Sequence, residues 1–240
     1  HGCAFVHPYD DLVTMAGQGT LADEVVMSGE GPFDRAYVAI GGGGLAASVA
    51  CWLKKFWPRI KVIGVEGIDQ ASMKTSIEQG RRVNLDYVDV FCDGTAVHIP
   101  GELTYPLCRE LVDEFVTVTN NEVCQAIRAM WESSRVVPEP SGAMSLAGFL
   151  KQWNRGEVKP EEKSFVVISG ANMDFTHLTQ IARQAGIGNH ETARCLNTCA
   201  TFRRIRRWWM CNTVKRREAP STPCSALPLP MKTWIPSARH

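Results

Sequence analysis

Between residues 35 and 170 the chain switches repeatedly between two hydrophobic periods. AYVAI (36–40), IKVIGVEG (60–67), EFVTVT (114–119) and SFVVISG (164–170) are short, β-branched runs that predict strands. LAASVACWLKKFW (45–57) instead puts Leu45, Val49, Trp52, Leu53 and Phe56 on one face of a 3.6-residue period, so a helix is predicted there, ended by Pro58. NNEVCQAIRAMWESS (120–134) and AMSLAGFLKQW (143–153) read as further helices, the first capped by Asn120 or Asn121. Strands that alternate with helices pair in parallel. The predicted fold class is therefore α/β, a doubly wound, mostly parallel sheet.

Four consecutive glycines, Gly41 to Gly44, lie where the first strand gives way to its helix, in VAIGGGGLAASVA. Glycine loses more backbone freedom on folding than any other residue, so a run of four needs a reason beyond a turn. In open α/β sheets ligands bind beyond the carboxyl ends of the strands. Residues without side chains let several backbone N–H groups converge on one anion, and the following helix adds its partial positive end. The run is neither G-x-G-x-x-G nor G-x-x-x-x-G-K-[ST], so a single small phosphate is expected rather than a dinucleotide or an NTP. PEPSGAMSLAGF (138–149) and VVISGANMDF (166–175) place Glu139 and Ser169 at comparable positions, and the three stretches are expected to line one cleft. Read singly, Glu139 and Ser141 are helix-start residues and Ser169 is a turn former.

Composition narrows the partners. The 240 residues carry 26 basic and 25 acidic side chains, a net charge of +1 that points to neither nucleic acid nor a membrane surface. No apolar run approaches the roughly 18 residues of a membrane helix, and HGCAFVHPYDD lacks a signal-peptide pattern, so the cytoplasm is the expected compartment. His1 stands where a Met would begin a chain, and an amino-terminal part is expected to be missing. The nine cysteines include no CxxC pair and are expected to be free thiols. Cys195, Cys199 and His190 could be imagined as metal ligands, but nothing is spaced to complete the set, and no metal is expected.

The even charge hides a division near residue 193. Ten of the 26 basic residues and one of the 25 acidic ones fall in 194–240, which leaves the body at net −8. The tail also holds five of the 13 prolines and shows no helical or strand period. The expected organisation is a catalytic portion over 1–193 and a basic, Pro-rich tail over 194–240, disordered or read out of frame. A basic, Trp-containing patch that grips nucleic acid or an anionic membrane is the other reading of the tail, disfavoured by the lack of an amphipathic face.

FVHPYDD, TMAGQGTLADEV, VAIGGGGLAASVA, IKVIGVEG, EPSGAMSLAGF and ISGANMDF, in this order and spacing, resemble threonine dehydratase (threonine deaminase). The resemblance runs to about Glu191, and ISGANMDF followed by LTQIARQAGIG is closer to the biosynthetic, isoleucine-pathway branch. It implies the tryptophan-synthase-β-like fold with pyridoxal 5′-phosphate as cofactor. It also implies dehydration and deamination of L-threonine, with L-serine as a second amino-acid substrate, to a 2-oxo acid and ammonia. The family's phosphate loop falls on Gly41, Gly42, Gly43, Gly44 and Leu45, and its hydroxyl contact to the pyridine nitrogen falls on Ser169. A neutral serine cannot hold that nitrogen protonated, which is expected to favour rapid β-elimination over long-lived carbanions.

The same resemblance sets limits. The family's Schiff-base lysine and the asparagine over the ring belong to a region not found here. Lys54, Lys55, Lys61, Lys74, Lys151, Lys159 and Lys163 lie in other contexts. This chain alone is therefore expected to be inactive, with no catalytic residue of its own assigned. The isoleucine-binding domain does not carry over; the resemblance implies homo-oligomers, with no tetramer expected in the absence of that domain. Where serine racemase relatives bind a divalent cation, Glu66 is followed by Gln70 and Ser72, with no second carboxylate. A catabolic dehydratase or racemase, and a non-catalytic pseudoenzyme, are the rival readings.

Overall fold

The computed structural model describes residues 4–187 and 209–211. In chain order they form α1 (Leu12–Met27), β1 (Arg35–Ala39), α2 (Gly44–Phe56), β2 (Lys61–Gly67) and α3 (Ser72–Glu78). A 3-10 turn (Asp93–Thr95) precedes α4 (Thr104–Leu111), β3 (Glu114–Val118), α5 (Asn120–Ser134) and α6 (Pro140–Asn154). Then come β4 (Ser164–Ser169), α7 (His177–Ile187) and β5 (Trp209–Cys211). The sheet order is β3-β2-β1-β4-β5, and every pairing is parallel. The chain moves outward from β1 through β2 to β3, then crosses back to the other side of β1 for β4. That reversal puts the topological switch point between β1 and β4, where a ligand crevice is expected.

Alternation along the strands builds two cores. Ala36, Val38, Ile40, Val62, Phe165 and Val167 face α1, α2 and α4. Tyr37, Ala39, Ile63, Val65, Val166 and Ile168 face α5, α6 and α7. Central parallel strands are covered on both faces, so nearly every residue of β1, β2 and β4 is apolar or small. Polar groups buried in these strands have partners: the Arg35 guanidinium pairs with Glu162, the hydroxyl of fully buried Tyr37 donates to Gln152 Oε1 at 2.7 Å, and the Gln152 amide donates to Glu114. Tyr37→Phe strands Gln152 Oε1 without its donor, an expected loss of about 1–2 kcal/mol. It is read as a lower urea midpoint at unchanged m, and an unchanged midpoint contradicts the bond's role.

The four sequence-predicted strands and three helices are present, with shifted ends. Thr119, not Asn120 or Asn121, caps α5: its hydroxyl accepts from Glu122 N while the Glu122 carboxylate accepts from Thr119 N, a capping box. Helix α6 opens at Pro140 rather than Ala143, because proline's fixed φ suits a first turn and its missing N–H is an orphan there anyway. Helices α1, α3, α4 and α7 were not foreseen. Asp11 starts α1, its carboxylate accepting from Val13 N at 3.0 Å and Thr14 N at 2.9 Å. Of the 194–240 tail only Trp209–Cys211 is described, as a strand paired with β4, and the expectation for the rest lies outside the described residues.

Candidate cofactor site

The glycine run leaves β1 at its carboxyl end and enters α2, beside the switch point. Among the described residues, none of the backbone N–H groups from Gly41 to Ala46 donates to a protein acceptor; the first bonded amide is Ala47, to Gly43 O at 2.9 Å. Gly42, Gly43 and Gly44 are buried, and Leu45 is half-buried. A series of shielded, unpartnered donors at a helix start is a ready anion cradle, and a phosphate group fits it.

Glycine is needed here for a second reason, which the sequence did not disclose. A Cβ on Gly41 would lie 2.8 Å from Thr95 Cα, and one on Gly42 would enter the Tyr9 ring. Gly43 has φ +97° and would press on Thr104 Cβ at 2.9 Å, while Gly44 would meet Tyr9 O at 2.8 Å. The loop is clamped by Tyr9 on the amino-terminal segment, by the 3-10 turn and by the start of α4. None of these is close in sequence, and their residue types carry no local signal.

The other singled-out residues gather at the same edge. Thr95, packed on Gly41, shares its hydroxyl with Gln70 Oε1 at 2.8 Å and with Ser141 Oγ at 3.4 Å. Gly142 sits so close to the Ser169 and Gly170 carbonyls that a Cβ there would lie 3.0 and 2.7 Å from them. Glu139 precedes α6 and straps down the turn after β4: its carboxylate accepts from Asn172 N at 2.8 Å and its own N–H donates to Gly170 O at 3.2 Å. Burial, with the nearby Asp93 charge, raises the Glu139 carboxyl above its ordinary range, and the Asn172 bond opposes this. Ser169 ends β4 half-exposed, its hydroxyl without a partner among the described residues. Gly41–Gly44, Glu139, Ser141 and Ser169 thus line one carboxyl edge through a continuous chain of contacts.

Glu66 plays a structural part nearby. Its carboxylate, 1% exposed, accepts from Met73 N at 2.9 Å and Lys74 N at 2.8 Å and so caps α3. Burial pushes this carboxyl up to about 8 against the pull of the two amides. Gln70 is turned to the Asp89 carbonyl and to Thr95. Lys54 pairs with Asp113, Lys74 with Glu78, and Lys151 with Glu122. Lys61 starts β2, Lys159 and Lys163 lie ahead of β4, and Lys55 is in the last turn of α2. Cys51, Cys92, Cys108 and Cys124 are free thiols; His190, Cys195 and Cys199 lie outside the described residues.

The family model described as "Pyridoxal-phosphate dependent enzyme" matches residues 1–170. The chain is 44% identical over 192 residues to the L-threonine dehydratase biosynthetic IlvA of Burkholderia multivorans, covering 80% of this chain and 38% of that protein. Its structure is similar to the processed form of threonine deaminase isoform 2 from Solanum lycopersicum, with TM-score 0.74 and 38% identity over 77% of this chain and 53% of that one. Serine racemase from Dictyostelium discoideum follows at TM-score 0.65 and 32% identity, over 73% and 55%. The chain therefore spans well under half of the curated relative's length and about half of each solved chain.

Proposed function

The chain belongs to the family of pyridoxal-phosphate-dependent enzymes, and from that footing we propose that it forms the cofactor-binding part of a biosynthetic threonine dehydratase. The single observation that carries the site assignment is the series of unpartnered amides from Gly41 to Ala46 at the switch-point edge. Gly41, Gly42, Gly43, Gly44 and Leu45 bind the phosphate through those amides, helped by the positive end of α2. The free Ser169 hydroxyl, across the switch point on β4, meets the pyridine nitrogen. When bound, the cofactor supplies an electron-withdrawing ring that makes the α-proton of L-threonine labile.

The protein's part is to orient the ring and control protons. Ser169 is neutral, so it accepts or donates one hydrogen bond without holding a positive charge on the ring. Glu139 holds the 169–172 turn that carries Ser169. Threonine loses water, and hydrolysis of the released enamine takes up a water and frees ammonia, giving 2-oxobutanoate, the first step toward isoleucine. L-serine is the smaller alternative substrate. No described lysine lies in the phosphate loop, and the 240-residue chain by itself is expected to bind cofactor without turning threonine over. The free thiols fit a reducing compartment, and the cytoplasm is the proposed one.

The test uses the full-length product of the gene that encodes these residues. With L-threonine it should form 2-oxobutanoate faster than it forms pyruvate from L-serine. Ser169→Asp should slow β-elimination by about tenfold or more while raising racemisation or transamination, as expected when a transition-state interaction is lost. Equal rates in both enzymes would remove Ser169 from the cofactor, and racemisation as the main wild-type reaction would favour the racemase reading.

A further inference from the structure

The glycine loop's amides can serve an anion only if their peptide planes are held, and glycine itself does nothing to hold them. A Gly–Gly peptide turns cheaply, because neither flanking residue has a Cβ to restrict it. In this structure the plane between Gly42 and Gly43 is fixed through its carbonyl. Gly42 O accepts from Gly101 N at 3.2 Å and from the Thr104 hydroxyl. A trans peptide is planar, with its C=O and N–H pointing in opposite directions. Two donors on Gly42 O therefore aim Gly43 N–H away from α4, on the unpartnered side of the loop.

Thr104 is well placed for this task. It is the first residue of α4 and fully buried. The turn that carries it is anchored in trans by Asp10, whose carboxylate accepts from Glu102 N at 2.7 Å and Leu103 N at 2.8 Å. Gly101 leaves this hydroxyl its space, since a Cβ there would lie 2.7 Å from Thr104 Oγ1. The next carbonyl along, Gly43 O, accepts from Ala47 N at 2.9 Å as α2 begins. Two successive planes are then locked from behind while their N–H groups stay free.

We infer that Thr104 is a positioning residue for the phosphate cradle: its hydroxyl, bonded to Gly42 O, sets the peptide so that Gly43 N–H faces the anion. This rests on the reading of Gly41–Leu45 as the phosphate loop. The role assigned to Thr104 runs only through the Gly42 carbonyl.

The experiment compares the 240-residue wild type with Thr104→Val, which keeps the shape and loses the hydroxyl, and Thr104→Ser, which keeps the hydroxyl. Pyridoxine 5′-phosphate and pyridoxine are titrated by calorimetry, since neither has an aldehyde to label surface lysines. Thr104→Val should weaken the phosphate ester about tenfold, the worth of one buried hydrogen bond, and leave pyridoxine unchanged. Thr104→Ser should restore the ester. Melting curves report folding. If Thr104→Val does not fold, Thr104→Cys, of like size and with only a weak donor, should show the same selective loss. A wild type that prefers the ester beside a Thr104→Val chain that prefers it equally overturns the positioning role alone. A wild type with no preference for the ester overturns the phosphate-loop reading and this role together.

Discussion

Gly43→Ala is expected to destabilise the chain by about 2–4 kcal/mol, from left-handed backbone strain plus overpacking. Gly43 holds φ +97°, a region an alanine enters only at a cost. The new methyl would also press on the Met73 side chain and on Thr104 Cβ. Met73 can swing its terminal methyl aside, but Thr104 is fixed on α4 and bonded to Gly42 O. Relief must come from the loop, and moving the loop tilts the amides. The variant should therefore lose stability and phosphate affinity together, read as a lower urea midpoint and a weaker titration with pyridoxine 5′-phosphate. By contrast a Cβ at Gly17 or Gly29 meets nothing within 4 Å, and Gly17→Ala, mid-helix in α1, should be neutral or stabilising.

Glu66→Ala should cost about 2–5 kcal/mol, because it leaves the buried Met73 N–H and the part-buried Lys74 N–H at the start of α3 with no acceptor. The conservative Glu66→Gln isolates the charge. An unfolded glutamate titrates near its ordinary value of 4.5, whereas the folded carboxyl is pushed up to about 8 by burial. Between these values the folded chain keeps a proton that the unfolded chain has released. Stability carried by this group is therefore complete below about pH 4.5 and is lost as the pH rises toward 8. Urea midpoints at pH 5 and pH 8.5 should fall more steeply with pH in the wild type than in Glu66→Gln. Parallel slopes would mean that Glu66 is ionised in the folded chain.

What could be read in the sequence follows from where information is local. Strands β1, β2 and β4 are buried on both faces and so appear as mainly apolar runs, with Glu66 the charged residue inside β2. Helix α2 was legible through the buried pair Val49 and Leu53, but the rest of its buried side includes Ala46, Ala47 and Ala50, and Phe56, at the end of the predicted face, is 48% exposed. Helix α1 escaped because Gly17 and Gly19 interrupt it, and α4 because Pro106 falls inside its first turns. Helix α3, seven residues long, offers too few turns for a period to show. The site divides in the same way. Gly41–Gly44, Glu139 and Ser169 could be singled out as candidates because each lies at a strand's carboxyl end or before a helix, the positions where ligands gather in open sheets. Tyr9, Thr95 and Thr104 were not, because they act on the loop from 33 to 62 residues away, through packing and hydrogen bonds that leave no spacing to read.

The gap between packing and binding explains the glycines most fully. Clamping by Tyr9, Thr95 and Thr104 accounts for the missing side chains, while the row of free amides accounts for the clamp. A loop needed only as a turn would have spent its N–H groups on neighbouring carbonyls. The decisive measurement is a titration of the ¹⁵N-labelled 240-residue chain with pyridoxine 5′-phosphate, following the backbone amides one by one. The amides of Gly41 to Ala46 should shift together and saturably, inorganic phosphate should compete, and pyridoxine should leave them unmoved. Shifts confined to other residues, or a response to pyridoxine as large as to its phosphate, would show that this loop is not the phosphate site.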